Sequence, residues 1–122
     1  MYHKLLILME KVSILIAVYN SALFLEKCLD SVIAQTYSNL QIICIDDAST
    51  DESLSILHRY ALDDARFSIL HNSKNRGISH TRNRGLEIAD GDFIMMLDSD
   101  DWLSSDAIAQ AIDTFRQHPL TD

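Results

Sequence analysis

The sequence predicts an α/β domain, a Rossmann-like parallel β-sheet with helices on both faces. Three observations carry this. Four short apolar runs alternate with segments of helical periodicity, the spacing of βαβ units with right-handed crossovers. The runs are nearly continuous rather than alternating, as in strands covered on both faces. Three of them end abruptly in polar clusters: Tyr19-Asn20, Asp46-Asp47 and Asp98-Ser99-Asp100-Asp101.

The first strand is read at residues 12–18, VSILIAV. Asn20 or Ser21 then offers a cap for a helix in which Leu25, Leu29, Val32 and Ile33 recur at helical spacing. LQIICID, residues 40–46, is a second buried strand. Ser49 to Glu52 supply capping residue types ahead of SLSILHRYAL, whose Leu54, Leu57 and Ala61 share a face. RFSILH is a third strand. GISHTRNRGLEIAD is a third helix with Ile78, Leu86 and Ala89 facing inward, and Gly91 is its expected stop. DFIMMLD is a fourth strand with FIMM buried. SSDAIAQAIDTFRQH is a last helix, opened by Ser104 and Ser105 and closed before Pro119.

A chain of 122 residues, 48% hydrophobic, suits one domain with its own core. That domain is placed at residues 12–122, behind an N-terminal extension at 1–11; a start at Met9 would lead directly into the first strand. LLILM after Lys4 is too short for a membrane span and lacks a cleavage site. The 10 basic and 18 acidic side chains give a net charge of −8, which argues against nucleic acid as a partner. Cys28 and Cys44 fall in core positions without metal-ligand spacing. They read as buried reduced thiols of a cytoplasmic protein, with membrane association open only through sequence outside this chain.

In such sheets ligands bind beyond the carboxyl ends of the strands, so the three polar clusters are expected on one rim. Asp98, Asp100 and Asp101 bring three like charges together, an arrangement that suits a hard divalent cation such as Mn²⁺ or Mg²⁺. The alternative is a solvated loop that caps the last helix. Trp102 reads as a half-buried lid over it. Asp46 and Asp47 either satisfy loop amides or recognise a base or ribose, Asp47 before Asp46. Ser49 and Thr50 read as structural. Among the arginines, Arg76 and Arg84 read as exposed, and Arg82 as the inner-face residue that needs an anionic partner. His58, His71 and His80 read as surface residues.

Together VSILIAVYN, IICIDDASTDES and NRGISHTRNRGLEIADGDFIMMLDSDDWL resemble the N-terminal half of a family 2 glycosyltransferase of the GT-A fold. The agreement runs over roughly residues 12–103, in the family's order and spacing. The resemblance implies an enzyme that transfers a sugar, with inversion, from a nucleotide-diphosphate donor. It points to a UDP-sugar donor, a glycan, lipid or protein acceptor, and assistance from Mn²⁺ or Mg²⁺. It implies nucleotide binding by Ala17, Tyr19, Asp47, Arg82, Asn83, Asp98 and Asp100. The DxD signature falls on Asp98 and Asp100, with Asp101 extending it, and the metal falls to Asp100 or Asp101.

The chain departs from the family pattern in three ways. Ala48 replaces a glycine, which asks that turn to do without positive φ. Thr81 replaces an alanine. Family members also continue well beyond this length, and the general base that activates the acceptor is expected in that further part. A truncated, inactive nucleotide-binding fragment is therefore an alternative, and an exposed apolar face would then favour self-association. A response-regulator-like receiver fits less well: the first strand ends in Tyr19-Asn20 rather than an acidic pair, and no lysine follows a fifth strand. A DxDx(T/V) phosphatase is disfavoured by Trp102 at its Thr/Val position.

Overall fold

The computed structural model describes residues 10–118. The extension read at 1–11 therefore lies outside the described residues apart from Glu10 and Lys11, as does Pro119. Eight elements follow in order. They are strand β1 (Val12–Val18), helix α1 (Ala22–Ile33), strand β2 (Leu40–Asp46), helix α2 (Ser53–Asp63), strand β3 (Phe67–His71), helix α3 (Ile78–Ile88), strand β4 (Phe93–Met96) and helix α4 (Ala107–Gln117). The strands are all parallel, in the order β3-β2-β1-β4. No helix among the described residues is long and apolar enough to cross a membrane.

This order explains the layers. From β1 to β3 the chain steps one way across the sheet, then returns past β1 to place β4. Right-handed crossovers then put α1 and α2 on one face and α3 on the other. On the first face Val12, Ile14 and Ile16 pack with Leu25, Leu29 and Val32 of α1, Leu57 of α2, and Ile108 and Ile112 of α4. On the second face Leu15, Ile43 and Ile45 form a smaller cluster with Leu70 and Ala89. Both central strands are covered on both sides, as their nearly continuous apolar runs imply. Cys28 and Cys44 are buried and free.

Several details differ from the sequence reading. In α1, Cys28 takes an inward place and Ile33 is exposed. In α2 the buried residues are Ser53, Ile56 and Leu57, with Leu54 only partly covered. The inner side of α3 is Thr81 and Gly85, while Ile78 and Leu86 are exposed. A Cβ on Gly85 would stand 2.9 Å from both Ile45 Cδ1 and Leu15 Cδ2. The helix thus lies on the sheet through its smallest residues, and larger ones are pushed to its flanks. Gly91 is not a left-handed helix stop. A Cβ there would lie 2.6 Å from Ser13 Oγ and 2.7 Å from Ser13 N, so it is a close-approach glycine beside β1. Strand β4 forms the sheet edge, and its Ile94 and Met96 are 50% and 46% exposed rather than buried.

None of the four helices is capped by the side chain of its own N-cap residue. The free amides find partners elsewhere: Ser53 N of α2 in Asp51 Oδ1, from the capping segment read ahead of that helix, and others across the fold. Ala22 N donates to Asp51 Oδ2, and Ile108 N to Gln35 Oε1, so neither Ser21 nor the Ser104-Ser105 pair plays the expected role.

Candidate functional site

The carboxyl ends of β1 and β2 are laced into one surface. Asp47 N donates to Val18 O at 2.8 Å, continuing the ladder past the strand ends. Asn20, at φ 48°, offers Oδ1 to the amides of Thr50 (2.8 Å) and Asp51 (3.3 Å), while its own amide donates to Ser49 Oγ. Asparagine tolerates this left-handed backbone because its short side chain bonds locally. Ser49 and Thr50 are structural, as expected. Ala48, however, sits at φ 60°, so the turn keeps its positive φ without a glycine.

Asp46 and Asp47 point to different places. Asp46 is fully buried and takes no part in lining either cavity described below. Its Oδ2 accepts Ser49 N and faces Nδ1 of His71, exposed as expected, at 3.2 Å; its Oδ1 is buried without a partner among the described residues. Asp47 holds the loop after β3. Its Oδ1 accepts Asn72 Nδ2 (2.9 Å) and Arg76 N (2.7 Å), and its Oδ2 accepts Gly77 N (2.9 Å). Burial alone would raise its pKa, but these bonds and Thr81 outweigh that and hold the carboxyl below its ordinary value. An ionised carboxylate has about four acceptor positions. Asn72, Arg76 and Gly77 take three of them, and the Thr81 hydroxyl faces the carboxylate as a fourth donor.

Below this bracket lies a cavity of about 350 Å³, lined by Ala17, Val18, Tyr19, Asp47, Asn75, Gly77, Ile78 and Thr81. A second, of about 480 Å³, shares Ala17, Tyr19 and Ile78 with it and extends to Ser21, Phe24, Asp98, Ser99 and Asp100. The two adjoin where the strand order reverses, between the ends of β1 and β4. Asn72, Asn75, Gly77 and Ile78 were not singled out as site residues from the sequence. The available signal was NSKNRG, polar and glycine-ended, directly between a strand and a helix.

The acidic loop leaves β4 at Leu97. One oxygen each of Asp98, Asp100 and Asp101 lies within 4.8 Å of the others, all three side chains exposed. At that separation each like-charged pair costs about 1 kcal/mol in water. Arg82 Nη2 reaches Asp98 Oδ1 at 3.2 Å and supplies a counter-charge, from a half-exposed position rather than the inner face of α3. Among the described residues the carboxylates of Asp100 and Asp101 have no hydrogen-bond or ion-pair partner. The charge is felt nearby: burial first, then Asp101, Asp100 and Asp98, push the Cys28 thiol up to about 12. Trp102 is 56% exposed, with the Lys27 ammonium 3.5 Å from its ring centre, so it is not a half-buried lid.

Of the residues read from the sequence, Ala17, Tyr19, Asp47, Asp98 and Asp100 line the two cavities, and Arg82 and Asp101 adjoin them. Asn83 is exposed and lines neither. Arg84 is not a free surface arginine. Its Nη1 donates to Asn72 Oδ1 (2.7 Å) and His71 O (3.0 Å), bracing the loop that Asp47 holds.

Residues 13–121 match the sequence profile of Glycosyl transferase family 2. The chain belongs to that family. This glycosyltransferase domain is 38% identical over 99 residues to glycosyltransferase GlyA of Streptococcus pneumoniae serotype 4, covering 81% of this chain and 14% of that protein. It superposes on residues 1–349 of S. aureus TarS in complex with UDP-GlcNAc at TM-score 0.83 and 27% identity, over 88% of this chain and 32% of that one. The mannosyltransferase PcManGT of Pyrobaculum calidifontis, in complex with GDP-Man and Mn²⁺, gives TM-score 0.81 and 28% identity, over 87% and 32%. The chain spans about a third or less of the length of each of these proteins.

The donor set of the glycosyltransferase domain fits a hard divalent cation. Three carboxylates converge, two of them unpartnered, and oxygen is the ligand type such ions take.

Proposed function

We infer that this domain binds the donor of a sugar transfer, a nucleotide-diphosphate sugar and most simply a UDP-sugar, for passage with inversion to a glycan, lipid or protein acceptor. The observation that carries the reading is the pair of adjoining cavities, one walled by Asp47 and its loop, the other ending at the acidic cluster. In this reading the nucleoside occupies the first cavity, against Ala17 and Tyr19, with a base N–H reaching Asp47 in place of the Thr81 hydroxyl. A site built on such a bond rejects ligands that lack the donor. The diphosphate extends into the second cavity, toward Asp98 and Asp100.

Asp100 and Asp101, with Asp98 beside them, would hold Mn²⁺ or Mg²⁺. Such an ion supplies positive charge that offsets the negative charge developing on a departing diphosphate. Arg82 holds Asp98 in place and adds positive potential at the same end of the cavity. Nucleotide is recognised by one set of residues and the leaving group by another, which separates affinity for the nucleoside from stabilisation of the departing diphosphate.

Calorimetry with UDP, with and without Mn²⁺, tests this. UDP is expected to bind weakly alone and at least about tenfold more tightly with Mn²⁺, a difference of roughly 1.4 kcal/mol. Asp100→Ala with Asp101→Ala should remove the metal-dependent part and leave the rest. Equal affinity with and without Mn²⁺ would overturn the metal-bridged reading.

A further inference from the structure

We propose that one stripe of α1 is a splint for the acidic loop, with Ser31 and Gln35 as positioning residues for the cation that bridges the donor diphosphate. The inference rests on the functional reading above and extends it to Ser31 and Gln35, which line neither cavity. The loop at 97–106 joins β4 to α4 with very little structure of its own. Besides its final turn into α4, its internal backbone bond is Asp101 N to Asp98 O at 3.0 Å. A segment so short of self-contacts, carrying three like charges, has every reason to spread.

It is held from α1 instead. Ser21 Oγ and Ser99 Oγ are 2.6 Å apart, and Cys28 Sγ donates to Asp98 O at 3.6 Å. Ser31 Oγ donates to Cys28 O and accepts Leu103 N at 3.0 Å. Gln35, just past the helix and 6% exposed, spends its whole amide on this junction. Nε2 donates to Ser104 O (2.6 Å) and Ser31 O (3.0 Å), and Oε1 accepts Ile108 N (3.1 Å). Thr36 N adds a bond to Ser105 O at 2.8 Å.

Cys28 and Ser31, three apart, lie on one side of α1, and Ser21 and Gln35 flank its two ends. They run beside the apolar stripe of Leu25, Leu29 and Val32 that fixes α1 to the sheet. The sheet therefore fixes the helix, and the helix fixes the backbone that carries the aspartates. Arg82 touches only the Asp98 carboxylate, from the α3 side, so the spacing of Asp100 and Asp101 depends on their backbone. Preorganising like charges before a cation arrives removes a cost that binding would otherwise meet.

The test separates loop geometry from general stability. Ser31→Ala and Gln35→Ala are titrated with Mn²⁺ in the presence of UDP, following free Mn²⁺ by electron paramagnetic resonance, and with UDP alone by calorimetry. Mn²⁺ affinity is expected to fall about tenfold in Gln35→Ala and several-fold in Ser31→Ala. Metal-free UDP affinity should stay within about twofold, because neither residue touches the nucleoside cavity. Ser31→Thr, which keeps the hydroxyl, should restore Mn²⁺ affinity. Leu57→Ala, a core truncation on α2, should lower the melting temperature and leave Mn²⁺ affinity as it was. The splint is overturned if wild type shows the Mn²⁺-dependent gain and both variants keep it, or if they lose metal-free and metal-dependent binding alike. Absence of any gain in wild type would overturn the functional reading itself, and the splint with it.

Discussion

The amide of Gly77 donates to Asp47 Oδ2 at 2.9 Å from a backbone held at φ 91° and ψ 166°. The loop after β3 is thus hung from the end of β2, and Asp47, Asn75 and Gly77 of this bracket line the first cavity. Asp47→Ala removes an acceptor shared by Asn72, Arg76 and Gly77 and should cost about 3 kcal/mol in urea unfolding. UDP affinity without metal should fall with it. Gly77→Ala meets open space yet must adopt a backbone region that side chains avoid, at about 1–3 kcal/mol.

Ala48→Gly should stabilise the domain. Ala48 lies at φ 60°, where an L-residue carries about 1–2 kcal/mol of strain. Glycine relieves this but gains about 0.4–1 kcal/mol of unfolded-state entropy. A net gain of about 0.5–1 kcal/mol is expected, measured as a raised urea midpoint with unchanged m-value.

Gly91→Ala should destabilise more than Gly85→Ala. At Gly91 the new Cβ meets backbone, Ser13 N at 2.7 Å and Lys11 O at 2.9 Å, which cannot step aside. At Gly85 it meets the ends of Leu15 and Ile45 side chains, and alanine regains about 1 kcal/mol of helix propensity. Overpacking costs about 1–3 kcal/mol, so Gly91→Ala should sit at or above the top of that range and Gly85→Ala near its bottom. Thermal unfolding of the two variants decides the order.

Stability should fall in acid through identifiable groups. Asp47 is held below its ordinary pKa by the bonds that outweigh its burial, and Asp64 chiefly by its hydrogen bonds from the Arg66 side chain. A depressed folded pKa contributes stability above the unfolded value, about 3.9, and loses it as pH falls through the lower folded value. Urea midpoints should therefore be insensitive to these groups from pH 7 to about 5 and decline below about pH 4. Asp47→Asn should make that decline shallower.

The fold was legible because its strongest signals are local. Nearly continuous, β-branched runs such as Val12–Val18 and Leu40–Asp46 suit buried strands, and polar clusters at their ends mark the rim. What stayed hidden depends on contacts between distant residues. Side-chain size misled on α3: Thr81 and Gly85 carry the contact because they are small, and Ile78 and Leu86 are displaced for the same reason. Caps read from neighbouring serines were supplied instead by Asp51 and Gln35 from other elements. The Asp47 bracket was half visible. Satisfying loop amides was one of its two readings, but that those amides belong to Arg76 and Gly77, some thirty residues on, is a product of the sheet order. Asn83, carried over with Arg82 by family spacing, turns outward because α3 presents Thr81 and Gly85 to the sheet.

The most direct test is a crystal of this chain soaked with UDP and Mn²⁺, with diffraction collected near the manganese edge. The account predicts one anomalous peak bounded by carboxylate oxygens of Asp100 or Asp101 and by the UDP diphosphate, with uracil against Ala17 and Asp47. UDP bound with no anomalous peak at those carboxylates, or with its base outside the cavity beside Asp47, would contradict it.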